Sequence, residues 1–302
     1  MNYKKILKSQ RVRIGLMRIL TFIPDRYIVR IQYRIKTNRK LNLKNPKRYT
    51  EKLQLYKLFY RNPLMEKCVD KYEVREYIKE KGLEEILIPC FGVFNSVEEI
   101  NFECLPDQFV LKDTLGGGGL STIIVTDRSQ LNIKKTKTIL NRWLKSNYGK
   151  HPGREWVYDN KRNRIIAEAY IPSSNNDGGL IEYKFFCFAG KVKYLYGIAD
   201  RTLGKGAGLG VFNRNFEPLN VERCDEKKLE RKLIKPDNFD EMVKIAEKLS
   251  QPFPHARIDL YDQNNNIQFG EITFFDGSGY MMFEPDSFDF ELGKEFELIA
   301  CE

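Results

Sequence analysis

The chain has 302 residues, 42% of them hydrophobic, 13% aromatic and 30% charged. That content supplies a large buried core in one composite domain or two. It excludes a disordered chain, and the lack of any apolar run of about 18 residues excludes a membrane-spanning helix. The net charge of +10 is uneven: residues 1–48 hold fifteen Lys/Arg and the single acid Asp25, a charge of +14, which leaves −4 on the rest.

Residues 3–36 read as helical, with Ile6, Ile14, Leu16, Ile19, Leu20, Phe22, Ile28, Ile31 and Ile35 near a 3.6 period and a break at Pro24. Two readings fit this basic arm: a helix pair packed on the body with a solvated face, or a peripheral contact with an anionic membrane. Nucleic acid fits less well, because no nucleic-acid-binding motif accompanies the charge. Arg11, Arg13 and Arg18 interrupt the apolar stretch, so no secretory signal is expected and the protein is placed in the cytoplasm, with the inner face of the membrane as the place for any peripheral contact.

Residues 37–49 are loop-like. Helices are expected at 50–60 and 65–81, the second ended by Gly82. Phe109 to Lys112 is a short strand, followed by a loop from Asp113 to Gly119, a strand from Thr122 to Val125, and a helix from Ile133 to Tyr148. Strands are expected at 164–170, 182–188 and 191–198, a glycine-rich loop at 203–210, and a helix at 239–249 with Asp237 or Asn238 as N-cap. Strands 256–261 and 266–275 flank the turn Asp262 to Asn265, and a final helix covers 289–299. The fold class is α+β with antiparallel hairpins, not the βαβ alternation of a dinucleotide-binding sheet. With Cys68, Cys90, Cys104, Cys187, Cys224 and Cys301 in no CxxC spacing and two histidines, His151 and His255, reduced structural thiols are expected rather than a zinc site.

Four constellations carry possible chemistry. Lys112 before Gly116, Gly117, Gly118 and Gly119 offers a cation and backbone N–H groups to a polyphosphate, or is a plain hairpin tip; it is not a GxxxxGK[ST] loop. Arg257 and Asp259 share one strand face, and Glu271 and Thr273 share one face of the next strand. If these strands pair, Asp259 and Glu271 lie opposite each other, and a divalent cation such as Mg²⁺ would relieve their repulsion; separate salt bridges would do the same. Glu168 is the one acid of an apolar strand, where a carboxylate can accept from an adenine amino group or ribose hydroxyls or simply meet solvent, and Glu182, Tyr183 and Lys184 open the strand after it. Asp70 and Lys71 open a helix with Arg75 one turn on; Lys71 could reach a phosphate, or the three form a local surface network.

The order of these features resembles the ATP-grasp superfamily, and their wording is similar to the TupA-like ATP-grasp family, associated with bacterial surface-polysaccharide and teichuronopeptide gene products. The stretches that carry the likeness are NPLMEKCVDKYEVREYI, LPDQFVLKDTLGGGG, RIIAEAYI, EYKFFCFAGKVKYL, FPHARIDLYDQNNNIQFGEITFFDGSG and FELGKEFEL, over about residues 45 to 298. The resemblance implies an ATP-grasp fold of two α+β lobes: a basic helical arm at 1–48, a first lobe within 49–170 and a second lobe with the metal site at 171–302.

It further implies an ATP- and Mg²⁺-dependent carboxylate–amine ligase. Lys71 and Lys112 would hold the α/β-phosphates and Gly116 to Gly119 would cover them. Glu168 with the backbone at Tyr170 would take adenine, Glu182 the ribose, with Lys184 beside it among the nucleotide-binding residues. Asp259, Glu271 and Thr273 would bind metal, and Arg257 with Lys112 would act on the transferring phosphate. The partners implied are a glycan or lipid-linked glycan acceptor and an amino acid or amine. Thr273 stands where many members have Asn, which leaves the number of metal ions open. A glycosyltransferase is the rival, disfavoured because no Asp-x-Asp is present; a glycan kinase on the same fold is another.

Overall fold

The computed structural model describes residues 22–117, 121–145, 149–172, 179–202 and 206–298. The expected elements at 3–21, 146–148 and 299, the loop tip Gly118 and Gly119, and residues 203–205 lie outside this set. The elements in order are α1 (Asp25–Thr37), α2 (Tyr49–Phe59), α3 (Pro63–Cys68), α4 (Val74–Glu80), β1 (Cys90–Phe94), β2 (Phe109–Asp113), β3 (Thr122–Val125), α5 (Ile133–Leu144), β4 (Ile165–Ala169), β5 (Glu182–Phe188), β6 (Lys191–Thr202), β7 (Gly206–Asn213), β8 (Glu222–Arg223), β9 (Lys227–Lys228), α6 (Phe239–Ser250), β10 (His255–Gln263), β11 (Asn266–Thr273), β12 (Phe283–Glu284) and α7 (Ser287–Glu295). The α+β class holds, and among the described residues no helix is long and apolar enough to cross a membrane.

The chain forms two compact units. The smaller, residues 63–150 and 157–172, carries an antiparallel sheet in the order β1-β4-β2-β3. Alternation sorts its two faces. Phe109 and Leu111 of β2 join Ile165 and Ala167 of β4 in a core with Leu140 of α5, Val97, Phe102 and Val125. The opposite parity, Lys112 on β2 and Glu168 on β4, therefore lies on the other face.

The larger unit, residues 1–62, 151–156 and 173–302, holds a sheet in the order β11-β10-β5-β6-β7-β9 and the small pair β12-β8. Ala256, Ile258 and Leu260 of β10 pair with Cys187, Phe185 and Tyr183 of β5. This face is covered by α6, whose Phe239 meets Phe185 at 5.8 Å between ring centroids and whose Ala246 carbonyl accepts from the Cys187 thiol. The other parity begins in an aromatic cluster of Phe186, Phe188, His255, Tyr49 and Phe296 and ends in the charged residues Lys184, Glu182, Arg257 and Asp259.

Helix α1 buries Val29 and Tyr33 against Leu41 and Tyr280, and the Tyr33 hydroxyl meets Thr50 at 2.9 Å. Helix α2 is started by Glu51, which accepts from the backbone of Lys47 and Arg48, and Asp289 of α7 accepts from the Thr50 backbone and hydroxyl.

Two expectations are corrected. The single helix at 65–81 is two short helices. The buried Asp70 carboxylate accepts from the N–H groups of Tyr72 at 2.8 Å and Glu73 at 3.0 Å, ending one helix and capping the next. The loop at 203–210 is strand from Gly206 onward, paired with β6. Its glycines are there for space: a Cβ on Gly208 would stand 2.9 Å from Leu229, and one on Gly210 3.0 Å from Phe212. The sheet of the smaller unit also gains β1, which the sequence pattern did not place, because its residues are only partly buried. The hairpin β10–β11 closes more tightly than expected, on Asn264 and Asn265 alone, both at positive φ as a two-residue turn requires.

Candidate active site

In the smaller unit, Lys112 and Glu168 are brought together. Val110 is the direct cross-strand partner of Glu168, and Lys112, two residues on, reaches diagonally to place Nζ 2.8 Å from Glu168 Oε2. Arg75 Nη1 of α4 stands 3.5 Å from Glu168 Oε1. Glu168 is thus a buried acid between two cations. Tyr170 lies one residue beyond the end of β4.

Lys71 sits beside the loop that follows β2. Its backbone N–H donates to Thr114 O at 2.9 Å and its ammonium donates to Gly116 O. Arg164 fixes that turn by binding Asp70 at 3.0 Å and Glu73 at 2.9 Å. The loop itself is tied down by Asp113, which accepts from Leu115 N at 2.9 Å and Asn163 Nδ2 at 2.7 Å; burial pushes its carboxyl up to about 6. A Cβ on Gly116 would fall 2.9 Å from the Ser121 Cβ, whereas one on Gly117 would meet nothing within 4 Å.

In the larger unit, the hairpin register puts Asp259 directly opposite Glu271 and Arg257 opposite Thr273. A bulge follows, where Gly270 packs so closely that a Cβ would stand 3.0 Å from the Asp259 carbonyl. Arg257 is the hub. It grips Asp259 through Nε at 2.7 Å and Nη2 at 2.8 Å. Nη2 also reaches Glu271 Oε1 at 3.1 Å and Thr273 Oγ1 at 3.0 Å, and Nη1 donates to Asp276. Lys184, the cross-strand partner of Asp259 on β5, donates to Asp259 and lies 3.0 Å from Glu182 Oε1, which also accepts from the Tyr261 hydroxyl at 3.1 Å.

Burial pushes the Asp259 carboxyl up to about 6 despite Arg257 and Lys184. Burial works the same way on Asp276, but Arg223 and Arg257 outweigh it and hold that carboxyl below the usual range. Burial alone would lower the Lys184 ammonium, and Asp259 and Glu182 turn the shift upward.

Sequence reasoning assigned no role to Asp113 or Arg223, and gave Arg75 only a place in a network with Asp70 and Lys71. Arg223 Nη1 lies 3.3 Å from Asp276 Oδ2 while Nε and Nη2 clasp Asp225. Its signal is not local, since it meets a residue 53 positions away. Arg223 also underlies the turn Asp276–Gly279, where a Cβ on Gly277 would stand 2.8 Å from its Nη2. Ser278 in that turn takes a left-handed φ of 59°, uncommon for a non-glycine residue, and its carbonyl is fixed by Gln54 and Lys57, each at 3.0 Å.

This arrangement, a lysine and glycine loop in one antiparallel unit and an R-x-D strand paired with an E-x-T strand in the other, covers the stretch that a family description matches. Residues 51–297 fit the family model TupA-like ATPgrasp. The chain belongs to the TupA-like ATP-grasp family. Its α+β build with antiparallel sheets is the ATP-grasp fold. No curated protein matches the chain. Among solved structures, this ATP-grasp chain is similar to D-alanine–D-alanine ligase from Bacillus anthracis (19% identity, TM-score 0.43, 69% of this chain and 57% of that one) and from Helicobacter pylori (14%, 0.42, 78% and 60%). It is also similar to the ADP complex of N5-carboxyaminoimidazole ribonucleotide synthetase (12%, 0.42, 70% and 46%). The chain therefore spans less than two thirds of the length of each of these three structures.

Among the described residues no group of three or more His, Cys, Asp or Glu is placed to hold a metal ion by itself. The donor set still fits magnesium: Asp259, Glu271 and Thr273 are hard oxygen donors on adjacent strands, and magnesium commonly takes one or two carboxylates together with substrate phosphates and water. Glu271 is the more open of the two acids, with 29% of its side chain exposed, against none for Asp259, whose oxygens are held by Arg257 and Lys184.

Proposed function

We propose that this chain is an ATP-dependent carboxylate–amine ligase that attaches an amino acid or amine to a cell-surface polysaccharide or its precursor. The observation that carries the reading is the register of β10 on β11, which sets Arg257, Asp259, Glu271 and Thr273 on one face in a chain of the ATP-grasp family. The acceptor class is supported by the family's association with surface-polysaccharide products.

In this reading a substrate carboxylate oxygen bonds to the γ-phosphorus of ATP as the bond to ADP breaks. The amine then bonds to the acyl carbon, phosphate leaves, and the amine proton passes to solvent. Magnesium, held by Glu271, Asp259 and the Thr273 hydroxyl, would neutralise phosphate charge. Lys71 and Lys112 would hold the α/β-phosphates beside the Asp113–Gly119 loop. Glu168 and the backbone at Tyr170 would accept from and orient the adenine, and Glu182, steadied by Lys184 and Tyr261, would take the ribose hydroxyls. Arg257, already aligned by Asp259 and Asp276, would place a fixed positive charge where the transferring phosphate gains charge. Such preorganised charge and positioning are the protein's main contributions to phosphoryl transfer.

The test is incubation of the full chain with ATP, Mg²⁺, glycans bearing uronic acids and a panel of amino acids. The reading requires ADP release that depends on both substrates, and an amide seen by mass spectrometry. A phosphorylated glycan without amide would replace it with a kinase, and binding of UDP-sugars in place of ATP would replace it with a glycosyltransferase.

A further inference from the structure

Helix α1 has a face that its packing does not use. Its inner side, Ile28, Val29, Gln32 and Tyr33, is buried. Its outer side repeats a doublet every four residues: Arg26 and Tyr27, Arg30 and Ile31, Arg34 and Ile35. The three apolar members stand 46%, 51% and 49% exposed, forming a stripe about two turns long beside a stripe of arginines. Phe22, just before the helix, is 78% exposed.

Among the described residues no acid answers these arginines. Arg26 meets the Tyr27 hydroxyl at 3.3 Å and Arg34 the Asn38 carbonyl at 3.0 Å, and among the described residues none of the three pairs with a carboxylate. The one acid in the first 50 residues, Asp25, faces Arg154 at 3.6 Å. The 21 residues before the described region add six Lys/Arg and no acid.

We propose that this outer face of α1 is a docking surface for an anionic lipid bilayer, lying in the headgroup plane with Tyr27, Ile31 and Ile35 turned into the acyl boundary and Arg26, Arg30 and Arg34 on lipid phosphates. The pairing of an apolar stripe with uncompensated guanidinium groups is the composition of an interfacial helix. A second copy of the chain is a poor occupant, because face-to-face contact would set arginines against arginines. Nucleic acid would engage the arginines and leave the isoleucines in water. The charge asymmetry of the chain, +14 on residues 1–48 against −4 on the rest, orients this end toward a negative surface. The inference does not depend on the ligase reading.

The experiment is flotation of the full chain with vesicles of phosphatidylcholine alone and of phosphatidylcholine mixed with phosphatidylglycerol, at low and high salt. Binding is expected to the mixed vesicles only and to weaken with salt. Each arginine replaced by Gln is expected to weaken binding about fivefold, so that the triple variant loses about a hundredfold. Replacing Ile31 and Ile35 together by Ser is expected to lower binding about tenfold or more, and an Ile31→Trp reporter to shift its emission to the blue on mixed vesicles. These side chains are exposed, and circular dichroism is the check that the variants fold. Equal binding to neutral and anionic vesicles, unchanged binding in the triple variant, or no vesicle binding by the wild type would each overturn the proposal. In the last case a concentration-dependent dimer lost in the Ile31/Ile35 variant would assign the face to a second copy, and binding of an oligonucleotide would assign it to nucleic acid.

Discussion

The two charged clusters of this chain are built on the same principle and balanced in opposite directions. On the smaller sheet, one buried acid, Glu168, is shared by Lys112 and Arg75, with Lys71 a few residues away on the neighbouring turn. The cations are in excess and partly exposed. On the larger sheet, Arg257, Lys184 and Arg223 answer five acids, Asp259, Asp276, Asp225, Glu271 and Glu182. The anions are in excess, and most of the cluster is buried. Under the proposed function the first cluster would receive phosphate oxygens and the second a cation, and each set of side chains is held in place by its opposite charges beforehand.

The heaviest blow to the second cluster is Arg257→Ala. It leaves Asp259 to Lys184 and Asp276 to Arg223 as their remaining cations, and breaking a buried ion pair costs about 3–5 kcal/mol. Urea unfolding should register that loss, with Arg257→Lys recovering only part of it because lysine lacks the bidentate grip on Asp259.

His255 tests the aromatic end of the same face. It is fully buried; the Cys187 carbonyl can only accept, so Nδ1 carries the hydrogen, and Nε2 accepts from the Tyr49 hydroxyl, each at 2.9 Å. Burial pushes its pKa down to about 4. A group with a lowered folded pKa binds its proton more readily when unfolded, so the stability tied to neutral His255 is complete above about pH 6.5 and lost as pH falls through about 4. The ceiling is about 3 kcal/mol. The stability gap between wild type and His255→Gln should therefore narrow from pH 7 to pH 4, and a constant gap would contradict the assignment.

In the first cluster, Lys112→Ala leaves Arg75 as the cation nearest Glu168 and should weaken ATP binding at least tenfold, with a smaller cost in stability because the lysine is partly exposed. The finest contrast lies in the glycine loop. Gly116→Ala forces a shift against Ser121 and should lower ATP affinity several-fold, while Gly117→Ala, with open space around it, should be nearly silent.

Much of the second cluster was legible because hairpin geometry is local. Once Asn264 and Asn265 close the turn, alternation places Asp259 beside Glu271 with no knowledge of the remaining fold. Arg223 was not legible, since it reaches Asp276 from the two-residue strand β8, which has no periodicity to read. The strand β7 was hidden for a different reason: Gly206, Gly208 and Gly210 read as loop by composition, yet Gly208 and Gly210 are small because Leu229 and Phe212 fill the space a side chain would take. Likewise Lys112 and Glu168 were each visible as charges on strands, but their pairing depended on β2 lying next to β4, a contact 56 residues apart.

The proposed function rests on ATP binding through Lys112 and on Mg²⁺ binding through Glu271. It is tested most directly by calorimetric titration of ATP, with and without Mg²⁺, into the wild type, Lys112→Ala and Glu271→Ala. The wild type should bind ATP in an Mg²⁺-dependent manner, with binding weakened in both variants and the Mg²⁺ dependence itself lost in Glu271→Ala. A folded wild type that binds no ATP, or a Glu271→Ala protein that binds Mg²⁺–ATP as tightly as the wild type, would contradict it.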